Sequence, residues 1–260
     1  MIRFIYSVWL ACLGQCVLAQ TPVATAYPDF EKLTFLDTGG SLPYRLLKPK
    51  NYNPKQKYPL VVFFHGAGER GEDNEIPLTH IAKLFTNEQN RVESPCFVLV
   101  PQCPKGARWV EVDWGLDSHT QPKDISKNLG IALKLLTEIE KTYSVDSDCL
   151  YATGLSMGGY AVWDLITRLP EKFAAAVPVC GGGDEAVAEK LKNLPVWAFH
   201  GAKDGVVKPS RSRNMIKAIE KAGGKPTYTE YSTTGHDSWK LAYTEPELLK
   251  WLFAQKKKQK

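Results

Sequence analysis

Short apolar runs rich in β-branched and aromatic residues alternate with longer segments of helical period along most of this chain, and no other feature limits its fold as much. Runs of that kind are buried on both faces, as in a parallel sheet, and parallel neighbours need crossover segments between them. The predicted strands of this series are Tyr58–Phe64, Cys96–Val100, Cys149–Thr153, Ala174–Val179, Val196–Phe199 and Thr227–Tyr231. Ile125, Leu129, Ala132, Leu133, Leu136 and Ile139 recur at helical spacing, which predicts an amphipathic helix over Asp124–Tyr143. Further helices are predicted over Leu78–Phe85, Gly159–Leu169, Glu185–Lys192 and Ser210–Ala222, the last with Ser210 as N-cap and Gly223 as stop. A final helix is expected near Thr244, where Thr244-Glu245-Pro246-Glu247 has the form of a capping box with an early proline. Ahead of the series, Phe30–Leu36 and Leu42–Leu47 flank the turn Thr38-Gly39-Gly40-Ser41 and are expected to pair as a hairpin. The fold class is therefore α/β: a mostly parallel twisted sheet with an N-terminal antiparallel hairpin and helices on both faces.

A chain of 260 residues, 43% hydrophobic, can bury one substantial core, and residues 20–260 read as a single domain. Residues 1–19 read differently. Arg3 precedes an apolar run, Phe4 to Leu18, and Val17-Leu18-Ala19 suits signal peptidase. Cleavage after Ala19 is expected, with a secreted or periplasmic destination and no membrane role beyond export, since a span needs roughly 20 apolar residues. The net charge of +5 is spread along the chain and argues against a nucleic-acid partner; Lys256-Lys257-Lys258 read as a solvated terminus. Cys96, Cys103, Cys149 and Cys180 end strand-like runs and are expected to be free, buried thiols. His and Cys spacings match no zinc site, and no glycine-rich phosphate loop occurs, so neither metal nor cofactor is expected.

The chemistry concentrates in Gly154-Leu155-Ser156-Met157-Gly158, which has the pattern of a serine on a tight strand-to-helix turn with small neighbours to relieve crowding. A serine hydroxyl needs a base to take its proton as it attacks, and histidine titrates in the right range. Of five histidines, His65 and His200 end strands, His80 and His119 lie in or beside loops, and His236 follows the last strand. The order serine, acid, histidine selects His236 as base and Asp204, in the loop after the penultimate strand, as the acid that orients it. Asp184 lies one strand earlier, Asp237 reads as a turn residue, and Asp164 as a helix-surface residue. Oxyanion donors are expected from the backbone amides of Met157 and Ala67, the latter in His65-Gly66-Ala67-Gly68.

Phe63-Phe64-His65-Gly66-Ala67-Gly68-Glu69-Arg70-Gly71, Val100-Pro101-Gln102-Cys103-Pro104, Gly154 to Gly159, Asp204 and Gly235-His236-Asp237-Ser238-Trp239 appear in that order. Together they resemble bacterial secreted esterases of the predicted-peptidase, polyhydroxybutyrate-depolymerase-like and feruloyl-esterase-like groups, over about Leu42 to Phe253. The resemblance implies an α/β-hydrolase fold, no metal, and acyl-ester hydrolysis through an acyl-enzyme. The stretch Gly181 to Leu194 is too short for a lid domain, so the site is expected to be open and suited to small-molecule or polysaccharide-linked esters. Trp109, Trp114 and Trp239 are expected at its rim as faces for a sugar or aromatic acyl group. Arg70 either binds substrate or, with Glu69, braces the oxyanion loop. The expected function is an esterase acting on acetylated or feruloylated carbohydrate. The competing readings are a prolyl-oligopeptidase-like peptidase and a non-catalytic binding protein.

Overall fold

The structure, a computed structural model, describes residues 25–257; the expected leader at 1–19 and Lys258 lie outside the described residues. The strands are β1 (Phe30–Asp37), β2 (Gly40–Leu47), β3 (Tyr58–Phe64), β4 (Phe97–Pro101), β5 (Val145–Leu155), β6 (Ala175–Val179), β7 (Trp197–Gly201) and β8 (Thr227–Tyr231). They form one eight-stranded sheet in the order β1-β2-β4-β3-β5-β6-β7-β8. β1 pairs with β2 and β2 with β4 in antiparallel sense, the hairpin closing at Asp37 opposite Gly40. The remaining pairings are parallel.

Alternation along the central strands splits the core in two. Leu60, Val62 and Phe64 of β3, with Phe97 and Leu99 of β4, pack on one face beneath the buried residues of α3 (Lys127–Thr142), α4 (Met157–Arg168) and α5 (Ser210–Lys221). Val61, Phe63, Val98 and Val100 point to the other face, covered by α1 (Ala82–Thr86), α6 (Trp239–Ala242) and α7 (Leu248–Phe253). Each such fully buried side chain contributes about 1.5–3 kcal/mol, which is why a strand buried on both faces reads as an unbroken apolar run.

Several helix boundaries move for local reasons. Ser126 accepts from the Leu129 amide at 3.2 Å, so α3 begins at Lys127 rather than at Asp124. The segment Leu78–Phe85 divides into a 3-10 turn, Ile76–Leu78, and α1. Glu185–Leu191 is a 3-10 helix capped by Asp184, which accepts from Ala186. Ser210 is the first residue of α5 and does not cap it; Pro209 occupies that place. Thr244 opens no helix: its hydroxyl donates back to the carbonyls of Lys240 and Leu241, closing α6, and the last helix starts at Leu248. An additional helix, α2 (Glu88–Glu93), buries no residue and is started by Asn87 accepting from Asn90.

Between β6 and β7 only the Glu185–Leu191 turn intervenes. The long irregular stretch is residues 102–126, between β4 and α3. Among the described residues no helix is long and apolar enough to cross a membrane.

Candidate active site

β5 delivers Ser156 to the C-terminal edge of the sheet, and the residue takes φ 53° and ψ −118° before α4 starts at Met157. A non-glycine residue at positive φ is strained, at a cost of order 1–3 kcal/mol. Close backbone approach holds it there: a Cβ on Gly158 would meet the Phe64 carbonyl oxygen at 1.9 Å. One on Gly154 would lie 2.6 Å from the Gly158 oxygen. The glycines on either side of Ser156 are therefore a steric requirement of packing β5 and α4 against the end of β3.

His236 lies in the loop between β8 and α6. Its Nε2 is 2.9 Å from Ser156 Oγ, and its Nδ1 is 2.7 Å from Asp204 Oδ2. A carboxylate can only accept, so Nδ1 carries the proton and Nε2 presents its lone pair to the hydroxyl. Burial is graded along this line, the Asp204 side chain being 0% exposed and that of His236 21%. Asp204 Oδ1 accepts from the amides of Val206 and Val207, and His200 Nε2 lies 3.2 Å from Oδ2. Burial alone would raise the Asp204 carboxyl. The hydrogen bonds from His200, His236, Val207 and Val206 outweigh it and hold the group far below the usual carboxylate range.

The residues named as oxyanion donors are each the first of a helical turn: Met157 opens α4, and Ala67 opens the 3-10 turn Ala67–Glu69. First-turn amides lack an intrahelical acceptor. His65 fixes this loop from below. Its Nε2 accepts from the Cys103 amide at 2.9 Å, and Nδ1–H donates to the Gly66 carbonyl at 2.6 Å. Burial pushes the imidazole down to about 4. Arg70 is turned inward: Nε donates to Ala67 O at 2.8 Å and Nη1 to Ala107 O at 3.1 Å. It braces the loop, and it does so without Glu69, whose Oε1 lies 3.3 Å from His80 Nε2.

Trp109 corrects the expectation of three rim tryptophans. It is completely buried, edge-on to Phe64 and His65, and its indole N–H donates to the His65 carbonyl at 3.1 Å. An indole finds both apolar area and a strand-end acceptor there, so Trp109 anchors the loop instead of meeting substrate. Trp114 is half-buried, with the Arg108 guanidinium 4.6 Å above its ring. Trp239 stands edge-on to His236, with ring centroids 5.3 Å apart.

Asp164 is not a surface residue. It is buried on α4, where it pairs with Arg168 at 2.7 Å and accepts from Gln121 at 3.0 Å. Asp184 accepts from the Gln121 amide at 2.7 Å, so the pair pins the end of the 102–126 loop. Asp237 pairs with Lys240 at 2.8 Å. Sequence reading missed the fully buried Arg211, whose guanidinium bonds His119 Nδ1, the Gly183 carbonyl at 3.1 Å and the Leu116 carbonyl at 3.3 Å. Burial and that cation push His119 down to about 4. Arginine on an amphipathic helix carries no sequence signal for burial.

Cys96, Cys103, Cys149 and Cys180 are buried and unpaired. Among the described residues, Cys180, Asp204 and His236 offer ligand-type atoms within 4.8 Å of one another. Both His236 nitrogens are already hydrogen-bonded, and burial drives the Cys180 thiol strongly upward, opposite to the thiolate a metal requires.

A crystal structure described as a thermostable esterase is 41% identical with a TM-score of 0.82, covering 88% of this chain and 64% of that one. The bifunctional acetylxylan esterase/xylanase XynS20E of Neocallimastix patriciarum is 22% identical over 70% of this chain, which spans 24% of that protein's length. Feruloyl esterase D of Neurospora crassa is 25% identical over 68% of this chain and 58% of its own. The esterase family model matches residues 37–241. With that match over most of an α/β-hydrolase fold, the chain belongs to the esterase family.

Proposed function

We propose that this protein is an exported serine carboxylic-ester hydrolase that removes acetyl or feruloyl groups from carbohydrate through an acyl-enzyme. The observation that carries the reading is the unbroken series from Asp204 Oδ2 to His236 Nδ1, and from His236 Nε2 to Ser156 Oγ. Ser156 Oγ bonds to the ester carbonyl carbon while its proton passes to His236 Nε2, leaving Nδ1–H on Asp204. The carbonyl oxygen becomes an oxyanion facing the Met157 and Ala67 amides. As the tetrahedral carbon collapses, Nε2 returns the proton to the leaving alkoxide and the alcohol departs. Water then repeats the sequence on the acyl-serine. The short connection between β6 and β7 supports an open site, which suits polymer-linked esters.

The test is a panel of p-nitrophenyl acetate, methyl ferulate, acetylated xylan and a prolyl peptide, run on wild type and Ser156→Ala. Ester turnover is expected to fall by roughly 10⁴-fold or more in the variant, with no peptide cleavage by either. Ester turnover that survives in Ser156→Ala would remove the nucleophile, and inactivity of the wild type on every ester would favour a binding protein. Export predicts a mature chain starting at Gln20, which a mass measurement on secreted material checks.

A further inference from the structure

Beside His236 the surface opens into a groove of about 580 Å³, with residues from 79–90 on one side and from 239–249 on the other. Its two walls are tied to the two halves of the catalytic site. On one side His80 lies 3.3 Å from Glu69, the last residue of the turn that begins at Ala67. On the other, Trp239 lies between two imidazoles, its ring centroid 5.3 Å from that of His236 and 5.4 Å from that of His80.

We infer that this groove is the subsite for the alcohol portion of the ester and that it is built for a sugar chain; the inference rests on Ser156, His236 and Asp204 acting as above. Proton transfer gives the direction. His236 Nε2 must hand its proton to the departing alkoxide oxygen, so the alcohol leaves on the imidazole side of the scissile carbon while the acyl group stays on Ser156. Trp239 is the ring next to that imidazole, and it also lines the groove.

The lining gives the chemistry. Lys83, Asn87 and Glu245 offer polar partners in a lining that also carries Trp239, Pro246 and Leu249. An aliphatic or aryl alcohol would cover these polar groups without pairing them, at a desolvation cost. A pyranose supplies a hydroxyl for each and a C–H face for an indole. The volume falls within the roughly 300–1,000 Å³ of ligand clefts, far more than a methyl or ethyl alcohol fills.

The experiment holds the acyl group constant and varies the alcohol. kcat/KM is measured for p-nitrophenyl acetate and for mono-acetylated xylose, xylobiose and xylotriose. The same series is run on Ser156→Ala and on the double variant Lys83→Ala, Glu245→Ala. Wild-type kcat/KM is expected to rise at least about tenfold from acetylated xylose to acetylated xylotriose. The xylotriose-to-p-nitrophenyl ratio is expected to drop about tenfold in the double variant. A flat series with sugar length overturns the inference even if the double variant fails to fold, and so does an unchanged ratio in a folded variant. Wild type inactive on every ester, or Ser156→Ala retaining turnover, defeats the serine-esterase reading itself, which is a different result from Ser156-dependent cleavage indifferent to sugar length.

Discussion

Asp204 is saturated within the protein, Oδ1 by the amides of Val206 and Val207 and Oδ2 by His236 with His200 nearby. An amide at this position could keep the two backbone bonds through its oxygen, but its nitrogen would turn a donor toward His236 Nδ1. The imidazole would then carry its proton on Nε2, the wrong nitrogen to receive one from Ser156. Asp204→Asn is therefore expected to lower kcat on p-nitrophenyl acetate by roughly 10³- to 10⁴-fold with KM little changed. Near wild-type kcat in a folded Asp204→Asn protein would show that another group orients His236. Such side chains were legible in the sequence because the chemistry permits few residue types in one chain order. Trp109 and Arg70 were not, because an indole or a guanidinium beside an active loop serves equally as anchor or as contact, and only the acceptor it reaches decides.

At the scale of elements, the pairing of Asp204 with His236 depends on two loops crossing at close range. Gly201 ends β7 just ahead of the Asp204 loop, and a Cβ there would lie 2.1 Å from the carbonyl oxygen of Gly235, the residue before His236. Lys203 donates to Thr234 O at 3.0 Å across the same crossing. Gly201→Ala must push the acid and base loops apart, and misplacement by about 1 Å costs roughly 10²-fold in rate. A drop of that order in kcat/KM is expected, together with a lower Tm; wild-type activity in this variant would mean the crossing can relax at no cost to the site. The central strands were legible because burial on both faces leaves little but apolar residues, and the turn at Ser156 because only glycine fits beside Phe64. The shortest elements left no period to read: α2 buries nothing and is started by Asn87 accepting from Asn90, and the 3-10 turn Ala67–Glu69 is only 3 residues long.

For the whole molecule, the sequence marks which segments form the sheet but not how residues 102–126 close over it, since that path is set by scattered polar contacts and by isolated buried side chains such as Trp109 and Val110. His65 lies where these parts meet, joining the end of β3 to the Cys103 amide and, through its own carbonyl, to Trp109. Protonation would place a second N–H against the Cys103 N–H, and burial already holds the group down to about 4 from 6.5. The folded value lies below the unfolded one. Between them the unfolded chain binds a proton that the native state refuses, so stability falls as pH drops through this window. The contribution is complete above about pH 6.5, declines toward about pH 4 and is constant below; at 1.36 kcal/mol per unit it amounts to about 3 kcal/mol for His65. Urea unfolding at about pH 7, 5.5 and 4.5 is expected to show that decline in wild type and a shallower one in His65→Gln, whose own stability at neutral pH is lower because the Cys103 and Gly66 bonds are remade imperfectly. Equal slopes in the two proteins would show that His65 takes up its proton without opening the fold, and the acid sensitivity would then belong to His119 and its contact with Arg211.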